Sequence, residues 1–207
     1  MKPLASLKQP ANPVLIFWIA IGLVGFFAVP WYGVEDFFKF EWLIDGYPFD
    51  ADYAPAAFLL GQAEKLWLAP LILPLLAPFA VLRKRKSDPL YARVLIVAGA
   101  IGLGWIILQG FSIGIRGWNF GWLQVFFGDL NDRQYGMGYG GMLVAVAFLF
   151  LFTQGIAARG AINGDVFVVS SISGIVVIVT IFVFFPIAKM LTAAFITDGG
   201  GYSLSVF

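Results

Sequence analysis

The sequence of 207 residues contains no cysteine and no histidine, and charged residues make up only 12% of it. Without cysteine the chain has no disulfide, no thiolate metal ligand and no thiol nucleophile. Without histidine it has no imidazole base, haem ligand or histidine-based zinc site. These two absences exclude most intramembrane metalloenzymes and haem proteins.

The scarcity of charge excludes an ordinary soluble domain, in which about 25% of residues are charged. Here 13 basic and 12 acidic residues serve a chain that is 60% hydrophobic, with a mean hydropathy of +0.89. The net charge of +1 gives no indication of nucleic-acid binding. Composition therefore predicts an integral membrane protein, with the lipid bilayer as its first partner and no nucleic acid.

Five stretches without Asp, Glu, Lys or Arg are long enough to cross a bilayer, at 17 to 22 residues each. Because hydrocarbon offers the backbone no hydrogen-bond partners, such stretches form helices. The predicted fold class is all-α, a polytopic transmembrane helix bundle, and the second span has an alternative start near Pro55. The five predicted spans are Val14–Tyr32, Leu66–Leu82, Val94–Ile113, Gly138–Ile156 and Val166–Ile187.

The basic residues predict the orientation of these spans, because loops rich in Lys and Arg remain in the cytoplasm. Eight lie on the side of the N-terminus and five on the other side, so the N-terminus is predicted to be cytoplasmic and the C-terminus external. The Arg83–Lys86 cluster is interpreted as a topological signal, with binding of an anionic lipid or a cytoplasmic partner as the alternative. The eight are Lys2, Lys8, Arg83, Lys84, Arg85, Lys86, Arg93 and Arg159; the five are Lys39, Lys65, Arg116, Arg133 and Lys189.

The external connections carry acidic and aromatic residues. Asp45, Asp50 and Asp52 are interpreted as a solvated acidic loop, since three carboxylates do not supply the six to eight oxygens that calcium takes. Aromatic residues four apart between positions 114 and 137 predict an interfacial amphipathic helix, with a cover over a substrate entrance as the alternative. The first span is predicted to be an uncleaved anchor. The outer end of this span, Trp31 and Tyr32, is expected at the level of the outer headgroups. The aromatic residues of the second external connection are Trp118, Trp122 and Phe126.

No ionisable residue occurs within the five stretches, so the sequence predicts no catalytic, cofactor-binding or metal-binding residue and no enzyme activity. Uncharged polar residues are interpreted as interhelical hydrogen-bonding groups, with a role in a pathway as the alternative. Small residues predict close helix packing, with a mobile entry to the fourth span as the alternative for the glycines from 136 to 141. Asp165 is a predicted N-cap. The polar residues are Gln109, Ser112, Thr153, Gln154 and Thr180, and the small ones are Gly99, Gly102, Gly104, Gly110–Gly114, Ser170–Gly174, Gly136, Gly138, Gly140 and Gly141.

The second span contains Pro70, Pro74 and Pro78, each of which removes a backbone donor. A static kink is the preferred interpretation, because neighbouring helices in a bundle satisfy the freed carbonyls. The alternative is a gating hinge.

Residues 170–207 contain an apolar helix with Pro186 near its end, followed by Leu191, Ala194–Phe195 and Thr197–Asp198. This order resembles the first core helix and following external loop of binding-protein-dependent ABC transporter permeases. The aromatic-rich part before it is similar to the N-terminal part of the iron(III)-type permeases, whose chains fuse two permease cores. The resemblance implies that residues 1–165 are a four-span N-terminal extension and that residues 166–207 form the fifth span and the start of a permease core.

The function implied by this resemblance is that of the membrane-spanning permease of an ATP-driven importer in the bacterial inner membrane, with ferric iron as the substrate class. A cytoplasmic ATPase subunit and a periplasmic substrate-binding protein would be its partners. The family's coupling loop, Glu–Ala–Ala and then Gly, has no counterpart here, since the last glutamate is Glu64 in an external segment. The chain is therefore expected to be the N-terminal part of a longer protein. The alternative is a self-contained five-span scaffold or assembly subunit of a larger membrane complex.

Overall fold

A computed structural model describes residues 12–114, 117–130 and 134–195, and these residues are mostly helical. The α-helices are α1 Pro13–Phe27, α2 Ala56–Gly61, α3 Ile72–Leu76, α4 Pro89–Ser112, α5 Leu123–Phe127, α6 Tyr139–Ala158, α7 Val166–Val179 and α8 Phe185–Ala194. Strands β1 Ile113–Gly114 and β2 Gly117–Trp118 form an antiparallel pair. The 3-10 segments are Phe37–Lys39, Glu41–Leu43, Leu66–Leu71, Ala77–Val81 and Ala161–Gly164, and Thr180–Phe184 is π-helical. Some residues named in the sequence predictions lie outside the described residues; these are Lys2, Lys8, Arg116, Arg133 and Thr197–Asp198.

Three helices are long and apolar enough, by length and composition, to cross a membrane. They are α4, α6 and the continuous helix Val166–Ala194, which consists of α7, the π-helical turn and α8. Helix α1 and the segment Leu66–Val81 are apolar but shorter. Three of the five predicted spans thus have helices of the required length and composition, as expected of a helical membrane protein.

Helix α6 lies at the centre of the bundle and packs against α1, α4 and α7. Glycines of α4 allow its close approach to α6. A Cβ added at Gly99 would lie 2.7 Å from both the Phe148 oxygen and the Phe152 nitrogen, and at Gly102 it would collide with the Phe148 ring. The predicted close packing is confirmed at these two glycines, whereas Gly104 has nothing within 4 Å.

The chain leaves α1 in an extended conformation that pairs with the start of α6. The N–H of Gly138 donates to the Trp31 oxygen at 2.8 Å, and the N–H of Gly140 donates to the Pro30 oxygen at 2.9 Å. Trp31 and Tyr32 are buried inside the protein, and their position at the outer headgroups stays a prediction. The first helix ends early because these non-helical backbone groups find their partners inside the protein, the condition under which such backbone is tolerated at membrane depth.

The second predicted span forms a mixed helix, Leu66–Val81, in which 3-10 segments flank α3. Pro70 lies in the first 3-10 segment, Pro74 in α3, and Pro78 at the start of the second 3-10 segment. A 3-10 helix rises about 2.0 Å per residue and an α-helix 1.5 Å, so the segment reaches about 30 Å, the thickness of a bilayer's hydrocarbon core. It starts at Leu66 and not near Pro55, where α2 begins as a separate short helix.

One end of the bundle, here named the basic end, brings together the start of α1 and the connections 82–88 and 159–165. The Asn12 side-chain nitrogen donates to the Tyr91 hydroxyl at 3.0 Å. Val14, Lys86 and Asn163, one from each of these three parts of the chain, line a common pocket.

The opposite end, here named the aromatic end, consists of residues 28–65 and the described parts of 113–138, together with the segment ends that contact them. Tyr32 forms a β-bridge with Met137, and the Lys65 ammonium donates to the Gln134 side-chain oxygen at 3.3 Å. The Trp118 ring packs edge-on against Trp67, with 5.2 Å between the ring centroids. These contacts join the two connections into one structure.

The predicted amphipathic helix between positions 114 and 137 is wrong. In the described parts of this stretch the chain forms the paired strands β1 and β2, with a φ of +140° at Gly117, and then the five-residue α5. Trp118 packs against Trp67 and Phe127, while Trp122 and Phe126 are exposed. The glycine conformation ends any continuous helix, so the four-residue spacing does not become one face.

The acidic loop has the exposed character that was predicted for it. Asp45, Asp50 and Asp52 are all exposed, and the Asp50 carboxylate accepts the Asp52 N–H at 3.0 Å. Within residues 12–114, 117–130 and 134–195, no group of three or more His, Cys, Asp or Glu is arranged to hold a metal ion.

Candidate functional site

A pocket of about 730 Å³ lies at the basic end between α1, α6 and α7. Helix α6 stops at Ala158, and a turn through Gly160, whose φ is +91°, leads the chain into α7. Asp165 fixes the start of α7, because its carboxylate accepts the N–H groups of Phe167 at 2.9 Å and Val168 at 3.2 Å. The predicted N-cap is therefore confirmed, and it sets the angle at which α7 closes one side of the pocket.

The wall of the pocket toward the bundle is apolar and aromatic. Trp18 of α1 stacks on Phe150 of α6, with ring centroids 3.8 Å apart and planes 4° from parallel. Val14, Val166 and Phe167 extend this wall, and Phe167 is largely exposed. An apolar chain lying on the wall would cover side chains that are otherwise only partly buried.

The inner part of the pocket contains hydrogen-bonding groups. Gln154 is only 4% exposed, and its side-chain nitrogen has no hydrogen-bond partner. Beside it, the Thr153 hydroxyl contacts the Ser170 hydroxyl at 2.9 Å, and Ser171 also lines the pocket. Leaving a buried donor unpaired costs about 1–3 kcal/mol, so a ligand that accepts a hydrogen bond from Gln154 would recover that loss.

The electrostatic character of the pocket is positive. Lys86 lies at its mouth, and no Asp or Glu occurs among the described residues that line it. The nearby acids are engaged elsewhere: Asp165 caps α7, while Asp88 accepts the Leu90 N–H at 2.9 Å and pairs with Lys84 at 3.2 Å. The hydrogen bond from the Leu90 backbone, followed by Lys84, lowers the pKa of Asp88.

The polar residues singled out from the sequence lie in different places. Thr153 bonds to Ser170 across the α6–α7 interface, and Gln109 donates to the Trp67 oxygen at 3.4 Å, so interhelical bonding is confirmed for both. Thr180 donates to Val176 within its own helix, where the interhelical interpretation is wrong.

Several residues of the pocket carried no signal in the sequence. Trp18, Phe150 and Tyr91 lie on three different helices, and no spacing relates them. Lys86 was visible only as a member of the basic cluster, which does not distinguish it from its neighbours. The sequence shows Gln154 as a polar residue in an apolar run, but its lack of a partner appears only in the structure.

No protein-family model matches the chain, and neither a curated protein nor a solved structure matches it. The resemblance of residues 170–207 to ABC permeases therefore remains a prediction from sequence. What can be inferred about function comes from the bundle and its pocket.

Proposed function

We propose that the protein crosses a bacterial inner membrane five times, with its N-terminus in the cytoplasm and its C-terminus outside. The observation that supports five crossings is the alternation of contacts between the two ends of the bundle. Connections 82–88 and 159–165 meet the start of α1 at the basic end, whereas residues 28–65 and the connection after α4 meet at the aromatic end. Each apolar segment therefore joins the basic end of the bundle to the aromatic end, and this includes the two shorter segments, α1 and Leu66–Val81.

The orientation in this proposal follows from charge. Arg83–Lys86, Arg93 and Arg159 belong to the basic end, and positively charged connections stay in the cytoplasm. At the other end, the Lys189 ammonium lies 5.4 Å from the centroid of the Phe111 ring, where α4 finishes. A lysine near a helix end can extend its ammonium toward the headgroups while its aliphatic part stays in the apolar layer.

Within the membrane, the proposed role is that of a permease component of an ATP-driven importer, with ferric iron as the substrate class. It would work with a cytoplasmic ATPase subunit and a periplasmic substrate-binding protein. The helix Val166–Ala194 supports this role, because only 6% of its most apolar stretch is buried, against 50% for α6. This helix carries the first part of the permease resemblance, and the first helix of a permease core would be covered by further core helices.

The alternative is a scaffold or assembly subunit without transport activity. It is favoured by the continuity of the core, which α1, Leu66–Val81, α4 and α6 share. In this alternative α7 and α8 would dock the bundle onto a larger membrane complex. Neither role uses a catalytic group, and we propose that the chain is not an enzyme.

Photo-crosslinking in native membranes tests these proposals. A benzophenone amino acid replaces Ile175 on α7, which is 63% exposed, and in a control replaces Ile101 on α4, which is 52% exposed. For a permease, Ile175 crosslinks to a further permease-core helix, Ile101 gives lipid adducts only, and membrane vesicles take up ferric iron when ATP is supplied. A protein crosslink without ATP-driven uptake supports the scaffold, and lipid adducts at both positions would overturn both roles.

A further inference from the structure

We propose that the pocket at the basic end binds an anionic phospholipid, with the headgroup phosphate near Lys86 and Gln154 and an acyl chain along Trp18 and Phe150. This proposal rests on the bundle lying in a membrane with its basic end at the headgroup level. It does not depend on a transport role. The occupant is a lipid that carries a net negative charge, such as phosphatidylglycerol.

An unpaired buried donor points to a ligand in this pocket. Among the described residues, three buried side-chain atoms lack a hydrogen-bond partner: the Tyr32 hydroxyl, the Trp67 indole nitrogen and the Gln154 amide nitrogen. Tyr32 and Trp67 lie at the aromatic end, where the Lys65 ammonium is 5.7 and 5.3 Å from their ring centroids. Gln154 alone among the three lines the pocket, so a bound acceptor is the arrangement that satisfies it.

The depth of the donors suits a lipid headgroup. Gln154 lies four residues before the last residue of α6, which places it about 6 Å from the helix end. Ser170 and Ser171 lie a similar distance inside α7, and Lys86 stands at the mouth. A phosphate at the hydrocarbon boundary would meet these donors without leaving the headgroup layer.

The charges select an anion. The phosphodiester of a lipid accepts hydrogen bonds, and hydrogen bonds to charged groups are about twice as strong as neutral ones. Lys86 is not in an ion pair with any described acid, unlike Lys84, which pairs with Asp88. A zwitterionic lipid would also bring a positively charged ammonium group, for which the described lining offers no carboxylate.

The apolar wall distinguishes a lipid from a free phosphate ion. The pocket volume of about 730 Å³ falls in the range of sites that take molecules of drug size, roughly 300–1,000 Å³. Phosphate alone would leave Val14, Trp18 and Phe167 uncovered. A ligand with a charged head and an apolar chain matches both parts of the lining.

Native mass spectrometry of the intact chain tests the proposal by counting the lipids that it retains. The purified protein is given equal amounts of phosphatidylglycerol and phosphatidylcholine with the same acyl chains. We expect preferential retention of phosphatidylglycerol, which falls about fivefold in Lys86→Gln and about tenfold in Gln154→Leu. Lys84→Gln is the matched control, because it removes the same charge from the same loop outside the pocket, and we expect a change of about twofold or less.

Three results would overturn the proposal: equal retention of both lipids, equal losses in the two lysine variants, or displacement of the lipid by millimolar inorganic phosphate. The last result would assign the pocket to a free anion. Quenching of tryptophan fluorescence by brominated phosphatidylglycerol provides a second measurement that does not need the Gln154 variant to fold. Trp18 is one of seven tryptophans, so we expect a smaller quenched fraction in Trp18→Phe than in the native chain, and the same quenched fraction in both proteins would contradict the assigned position of the acyl chain.

Discussion

Replacement of Gly99 by alanine tests whether close contact between α4 and α6 holds the bundle together. The new Cβ would lie 2.6 Å from the Phe152 Cβ and 2.7 Å from the Phe148 oxygen and the Phe152 nitrogen. Two of these three atoms belong to the backbone, so no rotamer change relieves the contact. To restore an ordinary 3.4 Å, the two helices would have to separate by about 0.7 Å along this direction. Such overpacking costs typically about 1–3 kcal/mol.

Gly104 provides the matched control, because it lies in the same helix with nothing within 4 Å. In both positions alanine gains about 1 kcal/mol of helix propensity over glycine. We therefore expect Gly104→Ala to stabilise the protein by up to about 1 kcal/mol and Gly99→Ala to destabilise it by up to about 2 kcal/mol. Reversible unfolding of the detergent-solubilised chain in sodium dodecyl sulfate, followed by far-ultraviolet circular dichroism, measures both. Equal midpoints for the two variants would refute the close packing of α4 on α6.

Three further predictions concern topology, capping and pH. Because the native chain has no cysteine, Asp45→Cys and Ser87→Cys each introduce a single thiol. A membrane-impermeant maleimide should label the thiol at position 45 in intact cells and the thiol at position 87 only after permeabilisation. The reverse labelling pattern would contradict the proposed orientation. Asp165→Ala removes the cap of α7 and should lower the free energy of unfolding by about 1 kcal/mol in the same detergent titration, whereas the exposed Asp45→Ala should leave it unchanged. The hydrogen bond from Leu90 lowers the pKa of Asp88 below its ordinary 3.8, so this carboxylate stabilises the fold above pH 3.8 and loses that effect as pH falls through the pKa of the folded state. Asp88→Asn should remove this contribution from an acid titration followed by circular dichroism. An acid transition unchanged in the variant would contradict the role assigned to Asp88.

The long helices could be predicted from the sequence because a charge-free apolar run has one backbone solution in hydrocarbon. The central helix α6 begins and ends within two residues of its predicted span. Helix α4 starts five residues earlier than predicted, since Asp88 caps it and Pro89 occupies its first position, both of which favour a helix start. The N-cap at Asp165 was predictable for the same local reason.

The connections and the pocket depend on contacts between distant residues, and hydropathy does not contain these. The extended pairing of Trp31 with Gly138 joins residues that are far apart in the chain, and it ends α1 before the apolar run does. The hairpin at Gly117 likewise replaces a helix that the spacing of aromatic residues had favoured. The pocket forms where Trp18 and Gln154 approach from different helices, so its lining had no periodic pattern in the sequence.

In the proposed five-span topology, the prolines of Leu66–Val81 would lengthen a crossing instead of interrupting it. Sixteen residues of α-helix would reach only about 24 Å, less than the roughly 30 Å of hydrocarbon. With prolines one turn apart, much of the segment adopts the longer 3-10 rise. The freed carbonyls belong to a part of the chain in which the side chains of Trp67, Leu71 and Leu75 are buried. One such carbonyl, that of Trp67, accepts the Trp105 indole N–H at 2.7 Å from α4. A hinge would need these carbonyls to be free to change partners, so the bond from α4 and the buried side chains favour a fixed, extended helix over a gate.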